Sequence, residues 1–199
     1  MSPLKKIVGL GLALMLDIGS GIIITRLLFV TLTLDVHWYD YSLGAFFSML
    51  PDLDVLAPIV KELLGGSKGD SSHKALPTHY PLVMMPVAGL ALLCMAPSHY
   101  ALLTVICLFM HFVHDSWQSQ EKGPGVRWLA PFGRRYYQIL SRHSANGRFH
   151  LFLTVSPKRV QETFKETLEE WLNSRFFCFT LENLIGVATF IIGVLIILS

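Results

Sequence analysis

Long apolar runs, separated by short polar segments, dominate this chain. There are five such runs, at about residues 7–34, 42–63, 81–97, 100–115 and 181–198. Each is near the roughly 20 apolar residues that a helix needs to cross a bilayer. The short sequence "PSHY" joins the third run to the fourth, so these two are expected to form a hairpin of antiparallel helices.

The second apolar run contains two prolines and two acids, Pro51, Asp52, Asp54 and Pro58. Proline removes a backbone donor and disrupts a helix. Non-helical backbone at membrane depth is tolerated only where it is buried in protein or lines a wet cavity. This segment is therefore predicted to be broken or re-entrant rather than a plain span.

Residues 116–180 form the one sizeable polar region. Its later part, "SPKRVQETFKETLEEW", begins with Ser156 and Pro157, a helix N-cap followed by a first-turn proline. An apolar stripe follows at helical spacing, at Val160, Phe164, Leu168 and Trp171. This pattern predicts a helix with one face packed against the protein or the membrane surface.

Together these elements predict an all-α protein, an integral membrane helical bundle of about four to five spans. The bundle carrying the candidate site is expected in 1–115, a cytoplasmic helical and loop region in 116–180, and a C-terminal membrane helix in 181–199. The composition agrees: 52% of the residues are hydrophobic and only 15% are charged, whereas soluble domains have about 25% charged residues. The net charge of +2 is small, so the expected partner is the lipid bilayer and no nucleic acid.

Lysine and arginine predict the orientation, because short cytoplasmic loops carry an excess of these residues. Lys5 and Lys6 precede the first run, three lysines lie between 61 and 74, and most other basic residues lie in 116–180. All of these segments share one side if the second run crosses the membrane. The N-terminus is therefore predicted inside and the C-terminus outside.

Histidines and an acid recur where the third and fourth runs meet the polar segments. His73 and His79 precede the third run, and His111 and Asp115 lie one helical turn apart at the end of the fourth. Because the two helices form a hairpin, all of these side chains are expected at one membrane face.

The broken second segment can direct its two acids to the same place. Ionisable groups within a membrane are costly and indicate function. Imidazole nitrogen combined with carboxylate oxygen is typical of a hydrolytic divalent site, so zinc is the expected ion, with manganese or iron as alternatives and one or two ions bound. The predicted metal ligands are Asp52, Asp54, His73, His79, His111 and Asp115.

Two further residues are possible additions to this site. Asp17 lies partway along the first run and is expected to reach the same cavity. His114, the neighbour of Asp115, has three interpretations: a ligand, a partner of a ligand, or a packing residue. His37 and His99 lie in short turns at the opposite face and are predicted to be interfacial.

Three segments, in the order "SMLPDLDVL", "SSHKALPTHYPL" and "LFMHFVHDSWQSQEKGPGVRWLAPFGRRYY", resemble the YdjM-like family of membrane-bound predicted metal-dependent hydrolases. That family has a PDLD element, an HRGxTHS element, an HxxxD element on a helix, and a glycine before an aromatic-Pro-Phe stretch. The resemblance covers about residues 43–137. Where the family has a histidine and then a glycine near the N-terminus, this chain has Asp17 and Gly21, and Lys74 and Tyr80 replace family residues of the second element.

The resemblance implies a membrane-embedded metal-dependent hydrolase of the bacterial inner (cytoplasmic) membrane. Within it, a carboxylate that the metal does not fully engage, Asp54 or Asp115, would serve as general base. A site at the membrane face suggests a lipid or lipid-linked (phospho)ester as substrate. Basic residues near its mouth either hold an anionic head group or reflect the positive-inside bias; these are Lys74, Arg127, Arg134 and Arg135.

Two other functions use the same ligands. A metal-ion or proton transporter would place them along a conduction path, although the chain shows few spans and no repeated half. A non-catalytic membrane protein would use the ion only to staple the bundle.

Overall fold

The computed structural model describes residues 2–53, 77–117, 125–142, 149–163, 170, 172–173, 176–177 and 180–199. Within them the chain is mostly helical. The helices are α1 (Pro3–Thr31), α2 (Trp38–Met49), α3 (Pro81–Met95), α4 (Ser98–Ser116), α5 (Pro157–Thr163) and α6 (Leu181–Leu198). The other described elements are two 3-10 turns, Leu50–Asp52 and Pro77–His79, and two strands, β1 (Tyr136–Arg142) and β2 (Phe149–Val155).

Helix α1 joins several of the described helices. Ser2 caps its first turn, where the Ser2 hydroxyl accepts a hydrogen bond from the Lys5 N–H (3.4 Å). Helix α1 packs against α2, α4 and α6, while α3 packs against α4. Asp17 is therefore on a helix that contacts three other described helices.

Glycines let α1 approach two of these neighbours closely. A Cβ atom at Gly21 would meet the carbonyl group of Gly44 in α2, and a Cβ atom at Gly19 would lie 2.6 Å from the backbone N of Phe190 in α6. Helices in lipid associate through such close packing, because the hydrophobic effect does not drive them together there. Both contacts are within about one turn of Asp17, so they fix the position of this acid in the bundle.

Two apolar clusters fill the interior. One joins α1, α2 and α4 around Phe29, Phe47 and Leu103. The second joins Phe112 of α4 to Val126. The polar region is therefore folded against the end of α4, at least through residues 125–142.

Two described helices are long and apolar enough to cross a membrane, Ile7–Thr31 within α1 and Leu181–Leu198. Large apolar side chains on both are exposed, among them Leu27 at 63% and Leu195 at 60%, as expected for contact with lipid. Helix α3 is apolar, but its 15 residues span about 22 Å, less than the roughly 30 Å of a hydrocarbon core. The second predicted run continues into residues 54–63, which lie outside the described part. The four to five spans therefore stay a prediction.

The prediction of a purely α fold is wrong in the polar region. Strands β1 and β2 form a two-stranded antiparallel sheet in which Tyr136 pairs with Val155 and Gln138 with Leu153. Both strands are rich in aromatic and β-branched residues, which favour extended backbone. Side chains 136 and 138 are buried while 137 and 139 are less so, which is the period-two alternation of a strand.

The helix predicted after Ser156 begins as expected. The Ser156 hydroxyl accepts a hydrogen bond from the Arg159 N–H (3.3 Å) at the start of α5, so the predicted N-cap is confirmed. Three residues of the predicted stripe lie outside the described residues: Phe164, Leu168 and Trp171.

Candidate metal centre

The side chains of Asp52, His79, His111 and Asp115 form one cluster. One ligand atom from each residue lies within 4.8 Å of the others. The two imidazoles are buried, whereas the side chains of Asp52 and Asp115 are 29% and 15% exposed. The cluster therefore has a closed imidazole side and a more open carboxylate side.

Three parts of the chain bring these side chains together. The 3-10 turn after α2 carries Asp52, because Pro51 cannot continue the hydrogen-bond pattern of the preceding helix. The second 3-10 turn, directly before α3, carries His79. Helix α4 contributes His111 and Asp115, one turn apart on one face. The hairpin of α3 and α4 thus returns the chain to the end from which it started, as the sequence predicted.

The distances between the ligand atoms suit a tetrahedral ion. His79 Nε2 is 3.3 Å from Asp52 Oδ1 and 3.6 Å from Asp115 Oδ2. His111 Nε2 is 3.8 Å and 3.7 Å from the same two oxygens. Ligands held about 2.0–2.1 Å from a tetrahedral ion are about 3.3–3.4 Å apart, whereas the cluster's ligand atoms lie within 4.8 Å of one another, so the cluster would contract on binding one ion.

Both imidazoles present Nε2 to the cluster, and an oxygen faces each Nδ1. Asp17 Oδ1 is 3.4 Å from His111 Nδ1, and Thr78 Oγ1 is 3.3 Å from His79 Nδ1. An oxygen at Nδ1 favours the tautomer that leaves Nε2 available to a metal. Among the described residues, neither ring nitrogen of the buried His111 has a hydrogen-bond partner; Asp17 lies at ion-pair distance from Nδ1, and a cation would satisfy Nε2. These residues therefore fit a divalent cation.

Asp17 and His114, the possible additional ligands, lie behind the four-residue cluster. His114 Nδ1 is 3.2 Å from Asp17 Oδ1, and His114 Nε2 is 3.8 Å from Glu182 Oε1 of α6. Asp17 is only 3% exposed. A buried polar chain thus runs from His111 through Asp17 and His114 to Glu182. Of the three interpretations of His114, this geometry favours a partner, which reaches the candidate ligand His111 through Asp17.

Sequence reasoning missed two members of this arrangement. Glu182 has a signal, since it is an acid in the first turn of an otherwise apolar helix. For Thr78 the sequence signal is weaker: this residue stands next to His79 in the motif quoted above. Glu182 contacts His114 from a distant part of the sequence, which no local pattern reveals, whereas Thr78 contacts its own sequence neighbour His79.

Other predicted residues are not part of the described cluster. Asp54, His73 and Lys74 lie outside the described residues, so their roles stay predictions. His99 begins α4, where its ring meets the Phe29 ring edge-on (5.3 Å between centroids). It is twelve residues from His111, which is about 18 Å along the helix.

The basic residues predicted near the mouth differ in their surroundings. Arg134 and Arg135 are exposed. Arg127 is partly buried, and its Nη1 donates a hydrogen bond to the Tyr80 hydroxyl (2.6 Å). Arg127 therefore lies beside the residue that follows the candidate ligand His79.

A second buried acid, Asp40, has a structural explanation. Its Oδ2 accepts a hydrogen bond from the His37 N–H (2.8 Å) at the start of α2, and its Oδ1 accepts one from the Tyr100 hydroxyl (2.7 Å). Asp40 is 1% exposed. It joins α2 to α4 near the turns that precede both helices, at the end of α4 away from the cluster.

The chain was compared with known families and proteins. A family model described as "YdjM inner membrane protein" matches residues 12–197. This match extends well beyond residues 43–137, in which the resemblance is visible by eye, and it includes both Asp17 and Glu182. No curated protein and no solved structure matches the chain significantly.

Proposed function

The chain belongs to the YdjM inner membrane protein family, and we propose that it is a membrane-embedded, metal-dependent hydrolase. Its proposed substrate is a lipid or lipid-linked (phospho)ester at the cytoplasmic face. The observation that supports this most is the cluster of two imidazoles and two carboxylates, a ligand mixture used by hydrolytic divalent sites. Its more open side is formed by the carboxylates, which gives a substrate a route of approach.

Zinc is the proposed ion, with manganese or iron as alternatives. Four protein ligands would close a tetrahedral zinc site, whereas a catalytic site keeps one position for water or substrate. We propose that the open position would lie on the carboxylate side, where the side chains of Asp52 and Asp115 are partly exposed. Asp54 and His73, if they join the cluster, would allow two ions to share the ligands.

When bound, a divalent cation polarises a carbonyl or phosphoryl oxygen and promotes the ionisation of water near neutral pH. The chain's own residues do the rest. His79 and His111, both buried, keep bulk water from the inner side and hold their Nε2 atoms in place through Thr78 and Asp17. Asp115 is the proposed general base among the described residues, since its side chain is partly exposed.

We also propose that the chain makes four to five membrane segments, with the N-terminus and residues 116–180 inside and the C-terminus outside. Support comes from the two full-length apolar helices and from the α3–α4 hairpin. Helix α3 is short for a bilayer, and a polar site at its end would let water reach part of that depth. The basic residues of the polar region then face the cytoplasm, as the positive-inside rule requires.

The test is metal-dependent turnover by purified protein in lipid nanodiscs. A generic phosphoester and a set of phospholipids serve as substrates, with zinc, manganese or chelator added. We expect turnover that needs metal, is lost in His111→Ala and Asp115→Asn, and persists in His99→Ala, because His99 is remote from the cluster.

Other results would point elsewhere. Full activity in His111→Ala, or loss of activity in His99→Ala, would show that the site is wrongly assigned. Metal flux into liposomes without turnover would favour a transporter. A metal-dependent melting temperature with neither turnover nor flux would favour an ion that only staples the bundle.

A further inference from the structure

Two consecutive residues of the polar region contact the chain beside two candidate ligands. Arg127 Nη1 donates a hydrogen bond to the hydroxyl of Tyr80 (2.6 Å), which follows His79. Trp128 Nε1 donates one to the hydroxyl of Ser116 (2.8 Å), which follows Asp115. The Arg127–Trp128 segment is therefore fixed across both elements that carry these ligands.

The guanidinium of Arg127 is held in one orientation by aromatic rings. Its Cζ atom lies 4.8 Å from the centroid of the Tyr80 ring and 5.8 Å from that of Tyr136, and guanidinium planes stack readily on such faces. Burial raises the pKa of the Tyr136 phenol, so this ring stays neutral and supplies no negative charge. The arginine is thus ordered without a counter-charge from its aromatic neighbours.

The hydrogen bonds of this guanidinium leave one edge poorly used. The edge formed by Nε and Nη2 has a single long bond, from Nη2 to the Gly133 carbonyl oxygen (3.4 Å). The Nε atom is buried and has no hydrogen-bond partner in the part of the chain that the structure describes. Nor does any described carboxylate lie within ion-pair distance of Arg127. A partly buried cation with an unused donor edge is costly unless a ligand completes it.

We propose that Arg127, oriented by Tyr80, is a subsite for a phosphate group next to the metal cluster. The Nε and Nη2 donors match two phosphate oxygens in a bidentate pair, which is the recognition mode that arginine supplies and lysine does not. As a substrate subsite this rests on the proposed hydrolase function, and it narrows the substrate class to phosphate esters. The phosphate can belong to a lipid head group or to a soluble molecule.

The experiment measures phosphate binding directly, so that it does not depend on turnover. Purified full-length protein, loaded with zinc in detergent, is titrated with inorganic phosphate and followed by calorimetry and by phosphorus NMR. A second arm uses nanodiscs of phosphatidylcholine with and without phosphatidic acid. The variants are Arg127→Ala and Arg127→Lys, and Arg159→Ala serves as the charge-matched control, since Arg159 is exposed on α5.

We expect Arg127→Ala to weaken phosphate binding about 10- to 100-fold, the effect of losing charge-assisted hydrogen bonds. The phosphate affinity of Arg127→Lys should lie between those of Arg127→Ala and the unaltered protein, because lysine keeps the positive charge but cannot donate the paired hydrogen bonds of a guanidinium. Arg159→Ala should bind as the unaltered protein does. Binding of inorganic phosphate would identify a soluble source, and Arg127-dependent binding seen only with phosphatidic acid would identify a head group.

Several results would overturn the subsite. The first is that phosphate does not bind in either arm, and the second is that Arg127→Ala binds phosphate as tightly as the unaltered protein does. The third is binding that needs His111 but not Arg127, which would place phosphate on the metal alone. If Arg127→Ala does not fold, unchanged binding by Arg127→Lys overturns it instead. Arg127-dependent binding without any turnover would keep the subsite and remove the hydrolase proposal.

Discussion

Asp17 lies outside the metal cluster, yet its removal is expected to weaken metal binding. Its Oδ1 is 3.4 Å from His111 Nδ1 and 3.2 Å from His114 Nδ1. In Asp17→Asn the side chain keeps its shape but loses the negative charge that holds the His111 ring with Nε2 toward the ion. Outer-sphere partners of this type are typically worth 10- to 100-fold in metal affinity, which corresponds to about 1.4–2.7 kcal/mol.

The assay is competition for zinc between the protein and a chromophoric chelator, at fixed pH and in detergent. Cobalt substitution adds a second readout, since the visible spectrum of cobalt reports the ligand geometry. The matched control is Asp40→Asn, which also alters a buried acid with two short contacts. Both variants should lose about 1–3 kcal/mol of stability without metal, but only Asp17→Asn should lose metal affinity.

Two results would refute this reasoning. If Asp17→Asn binds zinc as tightly as the unaltered protein and gives the same cobalt spectrum, the carboxylate does not orient His111. If Asp40→Asn weakens zinc binding equally, the loss reflects general destabilisation of the bundle rather than the contact to His111.

Three further predictions concern the ion, the packing and the topology. Zinc at about 100 times its dissociation constant should stabilise the fold by about 2.7 kcal/mol, so chelator should lower the melting temperature; no such shift in the unaltered protein would argue against a bound ion. Gly21→Ala should lower the free energy of unfolding by about 1–3 kcal/mol, because the added methyl group overpacks against Gly44. Gly11→Ala has nothing within 4 Å of the added methyl group and should leave stability unchanged or raise it. Thermal unfolding compares the two variants, and equal effects would contradict the close α1–α2 contact. Single cysteines at positions 135 and 199, in a background without native cysteines, should be labelled from opposite sides of membrane vesicles. Labelling of both positions from the same side would contradict the proposed topology.

The convergence of the cluster was predictable because each step is short-range. His111 and Asp115 need only helical spacing, and His79 needs only that α3 and α4 form a hairpin. Asp52 needs the proline beside it to end α2. The ligand types then suffice to suggest a cation.

The features that the sequence did not predict depend on contacts between residues that are distant in the chain. The sequence predicted Asp17 in a shared cavity, but its contacts with His111 and His114 depend on the packing of α1 against α4, which no local pattern specifies. Strands β1 and β2 went unpredicted because seven-residue aromatic segments are ambiguous when surrounded by basic and loop-forming residues. The order of the family motifs carried information about function that none of these local patterns contains.

The contact between Asp17 and His114 also has a consequence for biosynthesis. The two residues are 97 positions apart, and ribosomes add about 5–20 residues per second, so about 5–20 seconds separate their synthesis. During that interval the first helix reaches the bilayer with an acid near its middle, at an insertion cost of about 2.5–3.5 kcal/mol if it is charged. This cost favours a state in which Asp17 is hydrated, protonated or beside the insertion machinery until α4 arrives. Co-translational crosslinking of α1 to the translocon should end when α4 has emerged, and earlier in Asp17→Leu.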